Sequence, residues 1–320
     1  MSLDRFEPAL RGLIAQIVTL PPSFSSWQWA AGRLYGGFVL AFHDLPAPHF
    51  RRQIDALRPN QPVHLSVIID RLKAGKSTCG LFAITVDDGV GQTVRAIAAV
   101  AAERHWPVTF FLPTGYLDHP GGMPFQHLRN VLSRLPPRLI EIAGETIDAS
   151  SAASLFAFEA RWNRVRDHGP RDEYVRRIDE LVQAAVSAGW LSRDDIVPPP
   201  PITWEEVAAL SRRPEIRFES HGVTHTAVSA LSPNQLDAEL RDSARRITLH
   251  TNRPCRHFCY PFGSPESIGS TAPRAVARHY DSAVTMSRGR LHHRSVFLLP
   301  RIPLYTEDTR AVARLKILTR

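Results

Sequence analysis

The chain has 320 residues, 43% hydrophobic and 22% charged, a balance typical of a globular protein rather than a disordered or fibrous one. Its apolar runs fall short of the ~20 residues that a membrane span needs, and three cysteines are too few for a disulfide scaffold. The formal net charge of +8 would suit an anionic partner, but the arginines form no long basic run. We therefore expect no nucleic-acid partner and no transmembrane segment.

Residues 1–35 mix prolines with aromatic residues and predict an irregular N-terminal lead-in. Asp4 and Glu7 precede the apolar patch of this segment, and no small-residue cleavage site follows it. We recognise no signal peptide in this pattern and expect a cytoplasmic protein. Residues 36–320 are predicted to form a single domain.

Two early strands end on polar side chains. The first, FVLAFHDL, is a short apolar strand that ends on His43 and Asp44, and the second, LFAITVDDG, ends on Asp87 and Asp88. An unpaired buried carboxylate costs several kcal/mol, so this second strand gains nothing structurally from its two acids. A turn after Asp88 could bring both carboxylates to one pocket. The alternative is a solvated Asp-Asp-Gly turn.

The order of elements predicts an α/β fold. An alanine-rich helix (residues 93–105) follows the second strand, and the strand VTFFL (residues 108–112) follows that helix. This is a βαβ unit and therefore a parallel pair. The alternation returns after residue 200, where Thr203 and Ser232 have the pattern of helix N-caps. About seven or eight strands result, which favours a (β/α) barrel over an open doubly wound sheet.

The alternation is interrupted at residues 117–202, which are predicted to form a helical insertion. Three of its aromatic side chains, Phe156, Phe158 and Trp162, are assigned to the insertion's own core rather than to a ligand site. The proline-rich residues 198–201 are predicted to close the insertion as a stiff connector.

Two histidines follow the strand EIRFES. His221 and His225 are four residues apart, and at a strand exit this spacing allows two imidazoles to meet one ion. Together with one carboxylate they would form a metal site with open coordination positions. Histidines with this spacing also occur on helix surfaces without any ligand.

Three segments in this order, ITVDDG, ESHGVTH and YPFG, resemble the first three motifs of the polysaccharide deacetylases, the NodB-like carbohydrate esterases. LAFHDL and LPRIPL resemble the permuted ends of the exopolysaccharide deacetylase subgroup. The resemblance implies a distorted (β/α) barrel of about seven strands and a divalent metal, most often Zn²⁺. It also implies hydrolysis of an N-acetyl group on an amino-sugar unit of a polysaccharide or glycolipid, so that the partner is an N-acetylated carbohydrate.

The resemblance also implies roles for individual residues. Asp87 matches the catalytic base, which would take a proton from the water that the metal activates. The backbone N–H of Tyr260 matches a donor to the oxyanion. The metal ligands are matched by Asp88, His221 and His225.

One departure from the family pattern concerns the residue that orients the base. Many members have an arginine two residues before the proline of the third motif, and Cys259 stands there in this chain. Arg301, in LPRIPL, could orient Asp87 from another strand end. Its alternative is a surface salt bridge.

The general acid is the second point of departure. The late Leu-x-His motif of the family has no clean match, although Leu291-His292-His293 is similar to it. In the permuted subgroup the corresponding histidine comes from the first strand, which implies His43 here. We favour His43 over His292 and His293.

Two other functions remain open at this stage. The same site could hydrolyse a different amide, as a deformylase or an imide hydrolase does. A barrel without catalytic activity could also bind carbohydrate, although a binding protein has no need of a base beside a metal.

Overall fold

The structure is a computed structural model that describes residues 36–58, 60–118, 121–192, 194–197 and 199–319. The predicted lead-in, residues 1–35, lies outside the described residues. A curled sheet of parallel strands forms a half-barrel with helices around it. This confirms the predicted α/β fold with a distorted (β/α) barrel.

Seven strands follow one another across the sheet in the order β10-β1-β3-β4-β7-β8-β9, and β2 pairs with β3 beside this path. Strands β5 and β6 form a separate antiparallel hairpin. The bounds are β1 (Phe38–Phe42), β2 (Gln61–Pro62), β3 (Leu81–Val86), β4 (Val108–Leu112), β5 (Leu139–Ile142), β6 (Glu145–Asp148), β7 (Ile216–Ser220), β8 (His257–Cys259), β9 (Ser282–Val284) and β10 (Ile302–Pro303).

Twelve α-helices lie in the described part of the chain: α1 (Ala47–Asp55), α2 (Leu65–Lys73), α3 (Gly91–Arg104), α4 (Thr114–Asp118), α5 (Pro124–Leu132), α6 (Ala152–His168), α7 (Arg171–Ser187), α8 (Trp204–Ser211), α9 (Pro233–Thr251), α10 (Pro265–Ile268), α11 (Ala272–Val276) and α12 (Arg310–Leu318). None of these helices has the length and apolar character needed to cross a membrane.

The local sequence explains where the main helices begin. Thr203 and Ser232 each form a capping box, accepting a bond from a backbone N–H three residues later. The apolar run at residues 64–72 predicts a strand followed by a turn of helix from the sequence alone, and this prediction is wrong, because the run forms α2. The apolar residues of this segment recur at helical spacing and are all buried against the sheet, namely Leu65, Ile68, Ile69 and Leu72.

The last strand reaches both edges of the half-barrel. Leu299 forms a parallel bridge with Val284 in β9, and three residues later Ile302 pairs with Leu40 in β1. The apolar run at residues 296–302 predicts a strand from the sequence, and the strand β10 that forms is displaced towards the C-terminus of this run. Because this segment is bound on both sides, it holds Arg301 inside the barrel, where its side chain is 0% exposed.

Residues 117–202 contain α5, α6 and α7 together with the β5–β6 hairpin, and they build a hydrophobic cluster of their own. Phe158 and Trp162 are buried in this cluster, as predicted. The prediction for Phe156 is wrong, because this side chain is 73% exposed on the outer face of α6. Domain boundaries at residues 36, 117 and 202 stay a prediction.

Candidate active site

The site lies at the carboxyl ends of the parallel strands, where residues distant in sequence meet. Asp87 follows β3, His221 follows β7 and His43 follows β1. Together with Asp88 and His225 they line one cavity of about 930 Å³. Since all seven strands of the sheet run the same way, polar residues after their last positions necessarily gather at one end of the barrel.

A buried ion pair fixes the first carboxylate. Arg301 donates from Nη1 to Asp87 Oδ1 at 2.8 Å and from Nη2 to Oδ2 at 2.7 Å. Burial alone would raise the pKa of Asp87, but the charge and hydrogen bonds of Arg301 outweigh it and hold that pKa below its usual range. Asp87 is thus ionised and fully oriented. The alternative for Arg301, a surface salt bridge, is excluded because its side chain is 0% exposed.

The position where the family has its arginine is occupied by a neutral thiol. Cys259 Sγ lies 3.0 Å from Arg301 Nη2 and 3.5 Å from Asp87 Oδ2. Burial raises the pKa of Cys259 well above its usual value, so the group stays protonated. Cys259 therefore leaves room for a guanidinium that reaches Asp87 from a different strand end.

Asp88, His221 and His225 offer three donor atoms that all lie within 4.8 Å of one another. Asp88 Oδ1 is 3.7 Å from His221 Nε2 and 3.4 Å from His225 Nε2. The ligand atoms of a tetrahedral Zn²⁺ with bonds of ~2.0–2.1 Å lie about 3.3–3.5 Å apart, close to these separations. The three residues therefore fit a divalent metal.

The protonation states also fit a metal. His221 donates from Nδ1 to the carbonyl oxygen of Cys259 at 2.8 Å, which leaves its Nε2 as the acceptor facing Asp88. Burial and repulsion from His225 lower the pKa of His221 to about 4, so its imidazole is neutral at pH 7. Burial would raise the pKa of Asp88, but the neighbouring histidines lower it far below its usual range.

The loop with the two histidines is held by a side chain that sequence reasoning missed. Glu239, on α9, accepts hydrogen bonds from the backbone N–H groups of Val223 at 2.6 Å and Thr224 at 3.0 Å. Gly222 has φ +80°, and a Cβ there would lie 3.0 Å from Glu239 Oε2. Because Glu239 is remote in sequence and has the spacing of an ordinary helix residue, only the fold reveals its role.

Three residues of the site adopt left-handed backbone conformations that side chains other than glycine rarely take: Asp88 (φ 73°), His225 (φ 52°) and Phe262 (φ 62°). Each such conformation costs about 1–3 kcal/mol, and strained residues of this kind cluster at functional sites. The rings of His225 and Phe262 are in contact, with centroids 4.7 Å apart, and Phe125 of the insertion packs 5.2 Å from His225. Two of the three strained residues, His225 and Phe262, thus lie where two site loops meet the insertion.

The candidate general acids lie in different places. His43 is half-buried, lines the cavity and has its Nε2 3.7 Å from Asp87 Oδ2. It lies beside Asp87, and its role as the general acid stays a prediction. His292 and His293 stack on each other at the exposed surface and do not line this cavity.

Tyr260 lines the cavity, but its backbone N–H donates to the carbonyl oxygen of Val284 at 3.2 Å. This hydrogen bond continues the pairing of β8 with β9. The role of the Tyr260 N–H as an oxyanion donor stays a prediction, and it requires that this bond open or be shared.

Sequence comparison with known families gives a match over most of the chain. A family model described as polysaccharide deacetylase matches residues 74–281. That stretch contains the three motif segments with Asp87, Asp88, His221 and His225, at the positions where the structure brings them together. The chain belongs to the polysaccharide deacetylase family. No curated protein matches the sequence.

Solved deacetylases share the fold of this family member. The deacetylase PplD of Streptococcus pyogenes, solved with acetate, superimposes with a TM-score of 0.57 at 12% identity, over 89% of this chain and 97% of that one. A polysaccharide deacetylase of Bacillus cereus gives 0.55 at 11% identity, over 88% and 69%. IcaB of Ammonifex degensii gives 0.54 at 15% identity, over 89% and 96%.

Membership of the polysaccharide deacetylase family makes this chain an amide hydrolase that acts on carbon–nitrogen bonds other than peptide bonds. Two candidate site residues, His43 and Arg301, come from outside the matched stretch. The structure places both against Asp87, at 3.7 Å and 2.7 Å. Residues on either side of the matched stretch therefore contact Asp87, which lies within it.

Proposed function

We propose that the chain removes an N-acetyl group from an amino-sugar unit of a polysaccharide or glycolipid, with a divalent metal held by Asp88, His221 and His225. The observation that carries this proposal is the pairing of Asp87 with Arg301 beside that cluster. A site that only bound a metal or a sugar would not need a second ionised carboxylate beside the three metal-binding side chains. A hydrolytic site needs one to accept a proton.

The residues divide the work as follows. A bound divalent metal, for which Zn²⁺ suits two imidazoles and one carboxylate, supplies Lewis-acid activation of water and of the amide carbonyl. Asp87 accepts the proton of the attacking water; a carboxylate has about four lone-pair sites, so the bonds from Arg301 leave room for it. His43 faces the cavity beside Asp87 and donates a proton to the leaving amine.

The cavity wall supports a carbohydrate as the substrate. Helices α6 and α7 of the insertion contribute hydrogen-bonding and aromatic side chains to it, namely Glu159, Asn163, Arg166 and Tyr174. The guanidinium of Arg166 stacks 3.7 Å from the ring centroid of Phe262, which joins this wall to the third motif. A few placed polar groups on a concave surface are what recognition of sugar hydroxyls requires.

Acetate release from a panel of N-acetylated amino-sugar oligomers tests the proposal, with N-formyl analogues in the same panel and metal content measured on each sample. We expect acetate release that a chelator abolishes and a divalent metal restores. Formate as the main product would identify a deformylase. Binding of the oligomers without release of either acid, with metal present, would identify a carbohydrate-binding barrel and contradict the proposal.

A further inference from the structure

A second cavity lies at the opposite end of the barrel. It has a volume of about 170 Å³ and is lined by residues at the amino ends of three strands, Thr109 of β4, Arg217 of β7 and His257 of β8. His221 follows the other end of β7. The two cavities share no lining residue, so this cavity is separate from the active site.

Three buried nitrogen atoms on the walls of this cavity have no hydrogen-bond partner in the described part of the chain: His64 Nδ1, Arg253 Nη1 and His257 Nε2. The other nitrogen of each imidazole is engaged, His64 Nε2 with the carbonyl of Pro214 at 2.8 Å and His257 Nδ1 with Ser282 Oγ at 2.9 Å. His257 is 2% exposed. His64 Nε2 donates to that carbonyl, so Nδ1 of its neutral ring is an acceptor, whereas Arg253 Nη1 can only donate and His257 Nε2 donates when Nδ1 accepts from the Ser282 hydroxyl. A buried donor without a partner costs about 1–3 kcal/mol, so the last two nitrogens indicate an absent acceptor.

The charge of the cavity has the sign that an anion would complement. Ion pairs in the described residues engage Arg256, with Asp70 and Asp281, but they engage neither Arg217 nor Arg253. Arg217 donates hydrogen bonds from Nη1 to the carbonyl oxygens of Pro214 and Ile216. Burial and the like charge of Arg253 lower the pKa of Arg217, although the charge of Glu219 acts to raise it.

One carboxylate also faces this cavity. Glu219 accepts from the backbone N–H groups of Arg256 and His257, each at 2.7 Å. The Glu219 carboxylate is therefore already engaged by two backbone donors, while Arg217 and Arg253, which form no ion pair in the described residues, face the same cavity.

The geometry points to a binding site for a small oxyanion, phosphate or sulfate, held by Arg217, Arg253 and His257 at the amino end of the barrel. Guanidinium groups bind such anions through charge-assisted, often bidentate hydrogen bonds. Water takes ~30 Å³ per molecule, so the cavity has room for one tetrahedral oxyanion with a few waters. This inference does not depend on the proposed reaction.

The test is a thermal unfolding series of the intact protein in increasing phosphate, and separately in sulfate, against chloride at matched ionic strength. We expect a saturable rise of Tm, since a ligand that binds only the folded state stabilises it. Arg253→Gln should weaken the apparent affinity at least tenfold, and Arg217→Gln repeats the test if that variant does not fold. Arg212→Gln is the matched control, because Arg212 is exposed near the same end and outside the cavity.

Two results would overturn the site. The first is a Tm of the wild-type protein that follows ionic strength alone, which would mean that the cavity holds only water. The second is phosphate stabilisation that persists in Arg253→Gln and is lost in His221→Ala, because the anion would then bind at the active site instead.

Discussion

Asp87 and Arg301 depend on each other because both side chains are buried. The side chains of Asp87 and Arg301 are 2% and 0% exposed, so either one left alone would be an unpaired charge inside the barrel. Surface ion pairs of the same protein differ in this respect; Arg51 and Glu103, for example, are 38% and 52% exposed. The two kinds of pair should respond differently to the loss of an arginine.

Replacing Arg301 should therefore affect both stability and rate. We expect Arg301→Met to lower the free energy of unfolding by about 3–5 kcal/mol, since it leaves the Asp87 carboxylate buried without a partner. The control Arg51→Met should change it by about 1 kcal/mol or less. Urea unfolding of both variants measures the difference. Equal effects of the two substitutions would contradict a buried, functional pair.

The charge-conserving variant Arg301→Lys separates orientation from charge. A lysine cannot make the two parallel hydrogen bonds of a guanidinium, so turnover should fall although the protein folds and keeps its metal. Activity equal to wild type would show that Asp87 needs no bidentate partner.

His43 can be tested against the two late histidines. We expect His43→Ala to reduce turnover by about 10²–10⁴-fold, the range for a lost general acid, with unchanged metal content. The basic limb of the pH–rate profile should disappear with it. His292→Ala and His293→Ala should be nearly silent, since both residues are exposed and outside the cavity. The reverse outcome would assign the acid to the late motif.

At the scale of elements, strand ends were the predictable part of the site. Asp87 and His221 directly follow apolar strands, where polar residues are conspicuous in a parallel fold, and the motif resemblance singled out Asp88 and His225 beside them. Glu239 and Phe125 lie on helices with no distinguishing local pattern, so tertiary contacts alone reveal them. Their contribution could not be predicted.

Two sequence predictions about the elements were wrong, one for the type of an element and one for the face of a helix. The short apolar run in α2 (Leu65–Lys73) is compatible with both the helical and the strand repeat. It forms a helix whose apolar face is buried. Phe156 was wrongly assigned to a core because its neighbours Phe158 and Trp162 are buried, whereas its own position on α6 faces outwards. Which face of a helix is covered depends on partners that the sequence does not show.

The insertion should act on substrate affinity. We expect Asn163→Ala, on the cavity wall, to raise KM for a multi-unit N-acetylated oligomer about two- to tenfold, the effect of one lost hydrogen bond, with little change of kcat. Arg164→Ala is the control, because its side chain is exposed on the same helix and outside the cavity. Steady-state kinetics of both variants measure the effect. An unchanged KM for Asn163→Ala would remove this residue from the substrate site.

The whole molecule places different chemistry at its two ends. The carboxyl ends of the strands form the acidic and histidine-rich active site, and the amino ends form the cavity with Arg217, Arg253 and His257. Buried titratable groups at either end should make the stability of the fold depend on pH.

His257 gives this dependence a definite sign. Burial lowers the pKa of His257 to about 3, against 6.5 in the unfolded chain, so the unfolded state binds a proton first as pH falls. Stability should fall below pH 6.5, by about 2 kcal/mol at pH 5 from this residue alone.

Urea unfolding of wild type and His257→Gln in phosphate-free buffer at pH 7.5 and 5 measures this contribution. The variant should lose about 2 kcal/mol less between these pH values, and His293→Gln, an exposed control, should behave as wild type. Effects of the metal ligands and of Glu219 are common to all three proteins and cancel in the comparison. Equal losses in wild type and His257→Gln would contradict the prediction.

The central claim is that two adjacent carboxylates have different tasks, Asp88 as a metal ligand and Asp87 as the proton acceptor. It is tested most directly by measuring bound metal and acetate release on the same samples of Asp87→Asn and Asp88→Asn. We predict that Asp87→Asn keeps about one metal ion per chain and loses activity by about 10²–10⁴-fold, whereas Asp88→Asn loses both the metal and the activity. Loss of metal in Asp87→Asn equal to that in Asp88→Asn, or acetate release by Asp87→Asn at the wild-type rate, would contradict it.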